Sequence, residues 1–115
     1  MSAKRRRWAV RLASAAEADF AQIVRWTAGQ FGPRQARIYA RTLSLAIEAL
    51  SAEGPEVLGF LGRDDILAGV RSLHVARKGR KGRHLVVFRV QSVDETPVIE
   101  VLRVLHDAMD LRQHL

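Results

Sequence analysis

At 115 residues, with 48% hydrophobic and 27% charged side chains, the chain has material for one folded domain around one core; two independent domains and a disordered chain are both excluded. The absence of cysteine removes disulfides and thiolate chemistry, leaving only His and carboxylates to hold any metal, and suits a reducing cytoplasm. A formal net charge of +7 and a pI near 11.2 favour an acidic partner, without saying which polyanion.

The start, MSAKRRRWAVRLASAAE, has the basic residues of a secretory leader, but Arg11 and Glu17 interrupt the apolar stretch that would have to follow. The longest run of large apolar residues, Leu85 to Phe88, is far below the roughly 20 needed to cross a bilayer. A soluble protein with no membrane partner is expected, whose residues 1–7, including Lys4, Arg5, Arg6 and Arg7, form a flexible basic tail. Trp8, Val10 and Leu12 then alternate with small or charged residues, the period of a half-buried strand. Ser14 and Glu17 are spaced as a capping box. The helix that follows carries Ala16, Phe20, Ile23, Val24, Thr27 and Phe31 as its apolar stripe, with Asp19, Gln22 and Arg25 away from it. Gly29 and Gly32 end it, and Pro33 opens a second helix where its missing amide hydrogen costs nothing. That helix has the stripe Ala36, Tyr39, Ala40, Leu43, Ile47 and Leu50, and stops at Gly54-Pro55.

Three β-rich stretches follow, Gly69 to Ala76, Arg83 to Gln91 and Pro97 to Leu105, separated by the turn-forming segments RKGRKG and SVDETP. Leu85, Val86, Val87 and Phe88 mark the middle one as a central strand covered on both faces. Asp107 is placed to cap a short terminal helix. The order predicts one α+β domain over residues 1–115, β-α-α-β-β-β with a short C-terminal helix, in which a helical hairpin packs on a small antiparallel sheet.

Between Ile66 and Val93 there is no Asp or Glu, whereas Arg71, Arg77, Lys78, Arg80, Lys81, Arg83 and Arg89 all fall there. The loop from Arg77 to Arg83 has glycines at 79 and 82 and can present cations and backbone amides to phosphates, or be a solvated hairpin tip. Arg71 and Arg89 lie within strands, where each needs solvent or a partner such as Glu100 or Asp107; an ion pair competes there with a substrate contact. His74, His84, His106 and His114 lack the spacing of a helical metal pair, so no metal is expected. His106 followed by Asp107 can be read as a base and its orienter, or as a structural histidine at a strand end. Tyr39, the only tyrosine, sits on an apolar stripe and reads as core.

The element order, the segment GVRSLHVARKGRKGRHLVVFRV (69–90) and the ending VLRVLHDAMDLRQHL (101–115) resemble the ParE/RelE toxin superfamily from Val10 onward. The ending, with Leu105-His106-Asp107 and Met109-Asp110-Leu111, resembles its ParE branch. The resemblance implies a cytoplasmic toxin of a type II toxin–antitoxin system, without a cofactor, held in a hetero-oligomer by a cognate antitoxin. ParE-like members block DNA gyrase and need no hydrolytic residues. RelE-like members cleave messenger RNA on the ribosome with basic side chains and, in several, a Tyr, His or Glu near the concave sheet face. As a gyrase inhibitor the chain would meet its target or a polyanion through Arg77, Lys78, Arg80, Lys81 and Arg83, with no catalytic residue. As a ribonuclease it would use Arg71, Arg83, Arg89 and His106. The lack of a sheet tyrosine favours the first. A general nucleic-acid-binding module is a third reading, against which the basic segment has no aromatic platform apart from Phe88.

Overall fold

A computed structural model describes residues 7–115, so the basic tail expected at the start lies, except for Arg7, outside the described residues. The elements run β1 (Val10–Leu12), α1 (Ser14–Phe31), α2 (Pro33–Glu53), β2 (Leu61–Gly62), β3 (Arg71–His74), β4 (His84–Val93), β5 (Thr96–His106) and a terminal 3-10 turn (Leu111–Gln113). They form the expected α+β arrangement, with one sheet in the order β1-β5-β4-β3-β2. The meander from β2 to β5 is antiparallel, while β1 joins the β5 edge in parallel, pairing Val10 with Ile99 and Leu12 with Val101. β2 was not foreseen, since two residues carry no periodicity.

Helix α1 begins without the expected capping box. Ala13 holds the N-cap position, and Ser14 is already helical. The cause is the strand before it: the Ala13 amide donates to the Val101 carbonyl at 2.9 Å, extending the β1–β5 ladder and setting the turn one residue early. Gly32, at φ +90, reverses the chain, and Pro33 starts α2 as expected. Gly54, at φ +84, ends α2; a Cβ there would stand 2.6 Å from the Trp8 indole nitrogen, so Trp8 closes directly over the helix end. The Trp8 amide donates to the Ser51 carbonyl and the Ser51 hydroxyl to the Trp8 carbonyl, holding the segment before β1 against α2.

The sheet is apolar on both faces. Leu73, Val86, Phe88, Ile99 and Val101 meet Leu43, Ala46 and Leu50 of α2 in the main core. On the other face Val70, Leu85, Val87 and Leu105 are covered by Leu111 of the terminal turn, with Ile66 and Leu102 beside them. Leu85 to Phe88 is therefore buried from both sides, as its unbroken apolar run predicts, each side chain worth about 1.5–3 kcal/mol. Opposite Val87 and Phe88 the register skips from Arg103 to Val101, leaving Leu102 as an extra residue in β5.

Two sequence expectations fail in an informative way. Asp19, placed off the apolar stripe, is buried, with its carboxylate taking the Arg103 guanidinium at 2.7 and 2.8 Å and the Val104 amide at 3.0 Å. Asp107 does not cap the terminal helix; Asp110 does, accepting from the Arg112 amide, because Asp107 is engaged by Arg83 and His74.

The β4–β5 hairpin closes through Asp94 and Glu95, at φ 50 and φ 65 between the paired Val93 and Thr96. Two positive φ values in a two-residue loop are the signature of a type I′ turn, which favours Asn-Gly over these side chains. Asp94→Asn with Glu95→Gly should raise unfolding free energy by about 1 kcal/mol in urea titrations. A loss of stability would show that the two carboxylates contribute more than the turn strain removes.

Candidate functional site

The C-terminal ends of α1, the first turns of α2, the loop after β3 and the facing ends of β4 and β5 enclose a groove of about 710 Å³. Gly82 lets the loop in: a Cβ there would meet Val75 at 2.6 Å and the Tyr39 hydroxyl at 3.0 Å. The loop tip turns through Lys78 and Gly79, at φ 52 and φ 81, with the Arg80 amide bonded back to the Arg77 carbonyl.

The groove's floor is a side-chain relay that strand register creates. His84 and His106 are cross-strand partners with ring centroids 5.4 Å apart, and Tyr39 reaches them from α2. The Arg83 amide donates to the Tyr39 oxygen at 3.1 Å, and the phenol and His84 Nδ1 share a hydrogen bond at 2.5 Å. Burial first, then the neighbouring His106 charge, holds the His84 imidazole down to about 4, so at neutral pH it is uncharged. Burial likewise raises the Tyr39 phenol above its ordinary value. Behind the relay, Asp107 accepts from Arg83 at 3.1 Å and from His74 Nε2 at 2.9 Å; the Ala76 amide occupies His74 Nδ1 at 3.0 Å and so fixes that tautomer. Those bonds, Arg83 foremost, pull the Asp107 carboxyl down to about 2.

The four residues a ribonuclease would use are not brought together. Arg71 pairs in register with Phe88, so Arg71 and Arg89 emerge on opposite faces of the sheet. The Arg71 guanidinium bonds the Pro55 carbonyl at 2.5 Å and lies 4.7 Å from the Phe60 ring centre, with no carboxylate partner among the described residues. Arg89 stands 3.8 Å from Glu100, which also holds Arg11 at 3.5 Å and accepts from Gln91. Arg83 and His106 do share the groove. His106 Nδ1 lies 3.5 Å from Asp107 Oδ1 but accepts the Ala108 amide at 3.1 Å, and a nitrogen that accepts carries no proton for Asp107 to orient.

The basic loop divides. Arg80, Lys81 and Arg83 line the groove. Arg77 turns inward to the Leu58 carbonyl at 3.2 Å and to Glu53 at 3.7 Å, and exposed Lys78 lies on the loop's other side with it. Sequence reasoning missed Tyr39 and His84 as parts of the site: Tyr39 keeps the helical period of a core residue, and only sheet register sets His84 opposite His106. Among the described residues no group of three or more His, Asp or Glu could hold a metal ion. Nor is any helix among them long and apolar enough to cross a membrane.

This architecture is that of small toxin domains from toxin–antitoxin systems. A chain of the chromosomal ParDE system from P. aeruginosa superposes with a TM-score of 0.69 at 20% identity, covering 89% of this chain and 98% of that one. A chain of the RelBE2 toxin–antitoxin complex from Mycobacterium tuberculosis gives 0.53 at 27% identity, covering 87% and 98%. The family described as ParE toxin of the type II toxin–antitoxin system parDE matches residues 10–111. Toxin ParE1 of Caulobacter vibrioides is 35% identical over 107 residues, 91% of this chain and 95% of that protein. The chain belongs to the ParE family of type II toxins.

The relay predicts a pH signature. A folded-state value near 4 against an ordinary 6.5 means that the unfolded chain takes up the His84 proton first. Stability should therefore fall as pH drops from about 6.5 to about 4, with a further loss as Asp107 protonates between its ordinary 3.8 and about 2. In an NMR titration one imidazole should have its midpoint near 4 and vanish in His84→Gln, whose stability should vary less over the upper window. Four imidazoles titrating near their ordinary value would contradict the relay.

Proposed function

We propose that this ParE-family toxin acts by binding and inhibiting DNA gyrase in the cytoplasm, and that a cognate antitoxin holds it inactive in a hetero-oligomer. The observation that supports inhibition over hydrolysis is the dispersal of the cleavage candidates: Arg71 and Arg89 are committed to opposite sheet faces, and His106 Nδ1 accepts the Ala108 amide while the nearby Asp107 carboxylate is held by Arg83 and His74. What remains outward is charge, with Arg80, Lys81 and Arg83 at a loop held in place from beneath, suited to an acidic or DNA-bearing surface. Antitoxin binding is supported by the far edge of the sheet. There β2 offers a short unpaired edge beside exposed Leu58, Leu61 and Leu67, which an added strand with apolar side chains would cover.

Ribosome-dependent cleavage of messenger RNA is the second reading, drawing on Arg83 and His106 at the groove. Purified toxin should inhibit gyrase supercoiling or stabilise its cleaved DNA complex, and programmed ribosomes should show no new cut at the vacant A site. Arg80→Glu with Lys81→Glu should weaken inhibition about tenfold at low salt and less at high salt. Codon-phased cuts that disappear in His106→Ala would establish the second reading instead.

A further inference from the structure

Two acid-free stretches of the chain face each other across the groove. No Asp or Glu occurs from Phe20 to Ile47 or from Ile66 to Val93. The first stretch supplies Trp26, Phe31 and Ile38 to one wall, and the second supplies Arg80, Lys81 and Arg83 to the other. Of these cations only Arg83 has a carboxylate partner among the described residues. Beside Ile38, α2 adds exposed Arg34, Arg37 and Arg41, three and four residues apart on one side of the helix.

The aromatic wall does not serve the core. Trp26 and Phe31 are 61% and 64% exposed, edge to face with ring centres 6.0 Å apart, beside a row of cations. The basic segment itself lacks such a platform, because its Phe88 is fully buried. The fold brings one from a helix that ends at Phe31, well before the basic loop begins at Arg77.

We propose that this groove binds single-stranded nucleic acid, with bases stacked on Trp26 and Phe31 and phosphates held by Arg80, Lys81 and the α2 arginines. Stacking on exposed rings along a cationic track is how proteins hold single strands without reading sequence. A duplex keeps its bases stacked inside and cannot use the rings. An acidic peptide would satisfy the cations, but its carboxylates have no flat face to stack on the two rings, whereas each nucleotide carries both a phosphate and a base. The inference is independent of gyrase as target, and its failure would leave that reading standing.

Fluorescence anisotropy of the full chain with labelled dodecathymidylate and dodecauridylate tests it, with a DNA duplex of equal length and an acidic amphipathic peptide as comparisons. A single strand should bind more tightly than the duplex and quench indole emission, the tighter of the two homopolymers showing whether DNA or RNA is preferred. Trp26→Ala and Phe31→Ala should each weaken binding about tenfold at unchanged melting temperature. Arg80→Ala and Lys81→Ala should each lower the salt slope by about 0.7. Duplex binding as tight as single-strand binding, or ring variants that bind like the parent, would overturn the proposal. So would a groove that takes the acidic peptide and no oligonucleotide.

Discussion

The ion pair of buried Asp19 and half-buried Arg103 sets where the helical hairpin sits on the sheet. Strand β1 covers β5 only from Ile99 to Val101, so beyond it the Val104 amide has no strand partner on that side. The Asp19 carboxylate takes that place, accepting the amide while gripping the guanidinium through both oxygens. Arg103 in turn bonds the His114 carbonyl at 3.1 Å and so holds the chain's end. The Asp19 hydrogen bonds raise the Arg103 value above its ordinary one, since the guanidinium meets both carboxylate oxygens. Helix, strand and terminus are fastened at one point.

From that point the site follows. With α1 fixed on β5, α2 lies so that Tyr39 reaches His84, and the phenol accepts the Arg83 amide that begins β4. Asp107, at the end of β5, grips Arg83 and His74 across the same end of the sheet. The base of the cationic loop is thereby held by two strands and a helix, while Arg80 and Lys81 reach the groove from its tip. A fixed base under outward-facing cations suits a binding surface: the scaffold loses little freedom when a partner arrives. A hydrolytic centre would need a base and its orienter in register with the substrate, and His106 receives a backbone amide where that orienter would stand.

Much of the fold was legible because its signals are local. Gly32-Pro33 and Gly54-Pro55 bounded the helices, and the apolar run at Leu85 marked the doubly covered strand. The family resemblance rested on the segments 69–90 and 101–115, both inside the matched region. What escaped was set by partners distant in sequence. Asp19 looks like a solvent-facing helix residue until Arg103, in a bulged strand 84 positions later, is placed beside it. Ser14 has the spacing of a cap, but the Val101 carbonyl had already claimed the preceding amide. The basic loop was found as a unit and is not one, since Arg77 serves Glu53 and Leu58 while Arg80 and Lys81 face the groove. Phe31 gave no sign of its place, because it keeps the helical period of the apolar stripe and yet is exposed.

The most direct measurement of the Asp19–Arg103 constraint is a double-mutant cycle of Asp19→Asn, which keeps the side chain's shape, and Arg103→Gln, which removes the guanidinium, read by urea unfolding. If the pair fastens helix to strand, the two changes should be coupled by about 2 kcal/mol or more, each alone removing most of what both remove together. Free energies that add to within about 0.5 kcal/mol would show that the two side chains act separately and that the hairpin is held on the sheet by apolar packing alone.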